Sequence, residues 1–143
     1  SGHLVGDDAL RAIADILQAS IRPMDLAARF GGEEFAIVML GITVAEAREI
    51  AERLRRDIER HVIYHGNQLI HLTVSIGVAE LGPGETSADL LAASDRAMYQ
   101  AKRKSRNCVV VREADGDASM SDAHQHQSAL VEGIDLRAEV SQR

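Results

Sequence analysis

The chain has 143 residues, 45% of them hydrophobic, which fits one globular domain with a sizeable core and excludes a disordered polymer. Aromatic residues are only 3%, so that core must be built from Leu, Ile, Val and Ala. A net charge of −6 argues against a broad nucleic-acid or anionic-membrane surface, though it leaves room for a small basic pocket.

In chain order, Asp7 to Ser20 reads as a helix. Leu10, Ile13, Ala14, Leu17 and Ile21 make one apolar stripe, and Pro23 stops it. Leu26–Leu40 reads as a hairpin of two apolar runs around Gly31-Gly32. Thr43 and Glu46 form a capping-box pattern that opens a second helix, buried through Val44, Ala47, Ile50, Ala51, Leu54 and Ile58. Ile70, Leu72, Val74, Ile76 and Val78 alternate with polar or small residues, the period of a strand. Val62–Tyr64 is placed to pair back with Leu69 and Ile70.

Thr86 and Asp89 open a third helix, Arg106-Asn107 ends it, and Cys108–Val111 is a strand. Cys108 has no internal disulfide partner, which suits a reducing, cytoplasmic setting. No apolar run nears the ~18 residues of a membrane span. The order is α-β-β-α-β-α-β, an α+β class. Residues 1–112 read as the domain and 113–128 as a polar linker. Over 129–143, Leu130, Val131, Ile134 and Leu136 outline a short amphipathic helix, weakened by Gly133.

The hairpin carries the chemistry. Its turn holds two residues without Cβ atoms, so a bulky anion can approach the backbone. Glu33 and Glu34 follow at once, and a carboxylate there can hold a divalent cation. On spacing alone, an exposed turn with solvated acids accounts for the same residues.

Five patterns occur in order: Gly2-His3-x-x-Gly6-Asp7-x-x-Leu10, Arg22-x-x-Asp25, Arg29-Phe30-Gly31-Gly32-Glu33-Glu34-Phe35, Thr73–Ala79, and Asp95-x-Ala97-x-Tyr99-x-Ala101-Lys102-x-x-x-Arg106-Asn107. Together they resemble the GGDEF domain of diguanylate cyclases, with Glu at the third position of the signature. The resemblance covers about Gly2 to Val111. It implies a nucleotidyl-cyclase-like (ferredoxin-like), antiparallel-rich sheet flanked by helices.

The resemblance further implies an enzyme that condenses two GTP molecules into cyclic di-GMP with release of pyrophosphate, working as a homodimer with Mg²⁺ or Mn²⁺. Glu33 would be the metal ligand and Glu34 a supporting acid of the catalytic corner. Gly31 and Gly32 would admit the phosphates, and Lys102 and Arg106 would bind them. Asp7 and Leu10 would meet the guanine. Arg22 and Asp25, with Arg53 in a secondary role, would form a product-inhibition site for cyclic di-GMP. Ser105 stands where the family usually has Gly.

An upstream sensory or receiver domain is implied, and a membrane anchor, if any, would lie there too. Nucleic acid and direct membrane contact are not implied. The family's first strand, central in its sheet, carries an Asp, a Lys and an Asn of the site, and it is missing from these residues. Either a longer polypeptide supplies it, which the intact remaining motifs favour, or a partner or Ala129–Val140 repairs the sheet. A non-catalytic cyclic di-GMP receptor using Arg22 and Asp25 is the alternative reading.

Overall fold

The computed structural model describes residues 2–30, 34–114 and 128–142. The elements are α1 (Gly2–Ser20), β1 (Leu26–Phe30), β2 (Glu34–Leu40), α2 (Val44–Arg60), β3 (Val62–His65), β4 (Gln68–Glu80), α3 (Ser87–Lys104), β5 (Val109–Arg112) and β6 (Ser128–Gln142). Every element expected up to Val111 is present and of the expected type. Helix α1 begins earlier than Asp7, at Gly2.

The helix starts form as their side chains dictate. Thr43 Oγ1 accepts the Glu46 backbone N–H at 3.1 Å. At α3, Thr86 Oγ1 accepts from Asp89 N and Asp89 Oδ2 accepts from Thr86 N, a complete capping box. Among the described residues no helix is long and apolar enough to cross a membrane.

One six-stranded sheet runs β1-β2-β6-β4-β3, with β5 added to β4. All pairings are antiparallel except β4 with β5, which α3 joins as a parallel crossover. Strand β4 is long enough to hold β3 through residues 68–71 and β5 through residues 76–79.

The 129–143 segment is a strand, not a helix. Strand β6 lies in the middle of the sheet, antiparallel to both β2 and β4. The physical reason is hydrogen bonding. Without it, β2 and β4 would each present an unpaired edge lined by Ile37, Met39, Ile76 and Val78, all fully buried. A helix could not satisfy those backbone groups. Repair of the sheet by Ala129–Val140 is therefore the arrangement observed, and 128–142 belongs to the same sheet as the residues before 112. The expected linker falls mostly outside the described residues.

Helices α1 and α2 cover one face. Ile13 and Leu17 of α1 and Ala47, Ala51, Leu54 and Ile58 of α2 pack with Leu72, Val74, Ile76 and Val78. Each of the Ile, Leu and Val side chains among them contributes about 1.5–3 kcal/mol when fully buried. Helix α3 covers the other face, where Leu90 and Ala93 meet Ala36 and Ala79. There α3 comes so close that a Cβ on Gly77 would stand 2.5 Å from the Ser94 carbonyl oxygen.

Candidate nucleotide-binding site

Strands β1 and β2 pair from Leu26↔Val38 to Phe30↔Glu34. The hairpin expected from the sequence is thus present. Gly31, Gly32 and Glu33 lie outside the described residues.

Beside the hairpin, α1 leaves a cavity of about 200 Å³. Leu10, Ile13 and Leu17 line it from the helix, and Ala27, Ala28 and Phe35 from the strands. Gln18, Arg29 and Glu34 are its polar members. Drug-sized ligands need roughly 300–1,000 Å³, so this space suits a single ring system. Leu10 and Glu34, far apart in sequence, meet here. Asp7 is exposed one turn before Leu10 on the same helix and is not in the wall. Gln18 was not singled out by sequence, and Arg29 only as part of the hairpin pattern, without a role. An amide within an apolar stripe was the available signal for Gln18.

Lys102 and Arg106 are half-buried at the end of α3. The sheet register fixes where that end lies. Phe35 pairs with Gly133 and Ser75 with Ile134, so the start of β2 and the middle of β4 stand level with each other on either side of β6. Asn107 donates its backbone N–H to Ser75 Oγ at 3.2 Å. Through Ser75 the α3–β5 turn is tied to the level of Phe35, two strand spacings (~10 Å) away across β6.

That turn is unusual. Arg106 has φ 54° and Asn107 φ 46°, both left-handed and neither Gly. Arg106 N donates to Ala101 O at 3.0 Å, closing the helix end. The Asn107 side chain accepts from Arg55 Nη1 at 3.0 Å and donates to Glu59 Oε2 at 3.2 Å.

Arg22 and Asp25 are joined to each other. The Arg22 Nε and Nη2 donate to Asp25 Oδ1 at 3.0 and 2.7 Å, and the Arg22 backbone N–H donates to Oδ2 at 2.8 Å. The Asp25 carboxylate is fully buried. Its hydrogen bonds raise the Arg22 guanidinium above its ordinary pKa, and the charge of Asp25 adds to this against desolvation. Arg22 Nη2 also donates to Leu40 O at 2.9 Å. Arg53 of α2 donates to Ser20 O at 2.8 Å, just before this turn. The three residues expected at one site are thus neighbours around the end of α1.

Among the described residues no group of three or more His, Cys, Asp or Glu side chains could hold a metal ion. The expectation of Mg²⁺ or Mn²⁺ rests on Glu33.

Residues 1–108 match the family model described as "Diguanylate cyclase, GGDEF domain". The chain is 42% identical over 112 residues to the response regulator PleD of Caulobacter vibrioides, covering 76% of this chain and 25% of that protein. It is 34% identical over 111 residues to diguanylate cyclase A of Treponema denticola, covering 77% of this chain and 30% of that one. The chain therefore spans between a quarter and a third of these relatives. Among solved structures it resembles the GGDEF domain of DgcB from Caulobacter crescentus in complex with c-di-GMP. The TM-score is 0.74 at 32% identity, covering 77% of this chain and 66% of that one. It also resembles diguanylate cyclase SiaD from Pseudomonas aeruginosa in complex with its activator SiaC, at TM-score 0.74 and 32% identity, covering 78% and 43%. A family match running from the start of α1 to the brink of β5, on a sheet of the same shape, makes this chain a member of the GGDEF domain family of diguanylate cyclases.

Proposed function

We propose that this domain condenses two GTP molecules into cyclic di-GMP, releasing pyrophosphate. The observation that carries the reading is the cavity between α1 and the hairpin, with the turn after the basic end of α3 tied to β4 level with the start of β2. Leu10 packs against the guanine in that cavity, and Asp7, one turn away, accepts from the base edge. Gly31 and Gly32 let the backbone approach the phosphates. Lys102 in the last turn of α3 and Arg106 in the turn just past it, rather than on one helix face as their spacing predicts, hold the triphosphate.

Each domain presents one GTP. In a homodimer the 3′-hydroxyl of one nucleotide attacks the α-phosphorus of the other, twice, and two pyrophosphates leave. Positioning and charge neutralisation account for most catalysis of this kind. Glu33 is the proposed ligand for the Mg²⁺ or Mn²⁺ that supplies the neutralising charge, with Glu34 supporting the same corner. Arg22, Asp25 and Arg53 form the proposed product-inhibition site.

The test is GTP turnover with Mg²⁺, in the polypeptide that contains this domain, against its Glu33→Ala variant. Turnover should fall at least 100-fold, the scale of losing a principal electrostatic stabiliser. Equal turnover would remove Glu33 from the mechanism. Binding of cyclic di-GMP without turnover, lost in Arg22→Ala, would support the receptor reading instead.

A further inference from the structure

We infer that Asn107 and Arg55 are positioning residues that hold Arg106 in place for the nucleotide's phosphates, an inference that rests on the reading above. The starting point is backbone strain. A non-Gly residue in the left-handed region costs of order 1–3 kcal/mol, and such residues persist only where their surroundings over-determine them. Here two stand in succession, Arg106 and Asn107. Helices commonly end with one such residue, usually Gly. This one has Ser105 as its cap residue and then two strained positions.

The surroundings supply the determination from three elements. From β4, the buried Ser75 accepts the Asn107 backbone N–H through Oγ, and Ile76 N donates to Cys108 O at 3.0 Å. From α3, Ala101 O accepts the Arg106 backbone N–H. From α2, Arg55 and Glu59 bond both ends of the Asn107 amide. Arg55 is itself fixed, with Nη1 on Glu59 Oε2 at 2.6 Å and Nε on Glu52 Oε2 at 3.2 Å. Its side chain is only 16% exposed. Asn suits the position because one amide both donates and accepts, and because it tolerates the left-handed region better than most residues.

The consequence follows from adjacency. The Asn107 N–H belongs to the peptide that follows Arg106, so with that N–H held on Ser75 and the Arg106 N–H on Ala101 O, both peptides flanking the Arg106 Cα are fixed. Lys102 sits in the regular last turn of α3 and needs no such support. The clamp therefore acts on one of the two proposed phosphate cations.

Calorimetric titration with GTP and with guanosine monophosphate separates this role from general damage. Asn107→Ala and Arg55→Gln should each weaken GTP binding about tenfold, the scale of one or two hydrogen bonds to charged groups. Binding of the monophosphate should change less than twofold. Asn107→Gly relieves the left-handed strain but loses the same amide bonds, and it should weaken GTP binding equally. Arg55→Gln leaves the turn's own residues intact and carries the test if Asn107→Ala does not fold. Unchanged GTP affinity in Arg55→Gln and Asn107→Gly would overturn the inference while the site reading stands. So would equal weakening of both nucleotides. A parent protein that binds neither nucleotide would overturn the site reading and this inference with it.

Discussion

Arg22 and Asp25 show how much a four-residue pattern leaves unsaid. Sequence reads them as two groups that could grip a ligand. In the fold they grip each other, with the carboxylate wholly buried. A cyclic dinucleotide docking there would meet the outer edge of a preformed ion pair, less costly to order than two loose side chains. Asp89 gives a simpler case. Its hydrogen bonds from the Thr86 backbone and hydroxyl hold its carboxyl below the ordinary value. A depressed folded value means that stability is present above the unfolded pKa of ~3.9 and is lost as pH falls through the folded one. Urea midpoints of the parent should exceed those of Asp89→Asn at pH 6, and the gap should close as pH drops below ~3.9. A gap that persists at pH 2.5 would show that charge is not the cause. Asn107 marks the limit at this scale. Its position at the helix end was legible, and Asn is among the few residues besides Gly that accept a left-handed φ. Two such positions in succession, one of them Arg106, were not legible.

At the scale of elements, legibility followed periodicity. Helix α2 was readable because a cap and a helical period coincided, and strand β4 because its period of two was unbroken. Strand β6 was not. Its apolar positions at 130, 131, 134 and 136 imitate a helix stripe, and Gly133 interrupts them. Yet Ile134, Leu136, Ala138 and Val140 alternate with Asp135, Arg137 and Glu139, a period of two that was available. A bulge near Thr73 shifts the phase: Val131 stands opposite Val78, while Ala138 and Val140 stand opposite Leu72 and Ile70. Removing residues 128–143 should replace the cooperative thermal transition with a broad one and promote aggregation through the freed edges of β2 and β4. A sharp, unshifted transition in the shortened chain would contradict that role. Across the same sheet, Gly77→Ala should lower stability by about 1–3 kcal/mol, because α3 must shift to admit a methyl group. Denaturant unfolding measures it, and an unchanged midpoint would mean that α3 yields freely.

For the molecule as a whole, the site is a property of register more than of any one motif. The hairpin, the α1 cavity and the α3–β5 turn come from distant stretches and are brought to one level of the sheet by the register of β2 and β4 on β6. The family and its motif residues were readable from sequence, whereas this alignment was not, since half of it depends on β6. That strand also imposes an order of events. It is the last of the described elements and lies in the middle of the sheet, so Ala36 and Val78 must wait for Glu132 and Val131 before their backbone groups are paired. Long-range pairing of this kind slows folding, because loop closure is costly before contacts reward it. The hairpin and its neighbouring helices can collapse early, but the sheet closes only when the last strand threads between its two halves. Refolding should therefore show a slow phase that tracks sheet closure, and the nucleotide site should mature with that phase rather than with the first collapse.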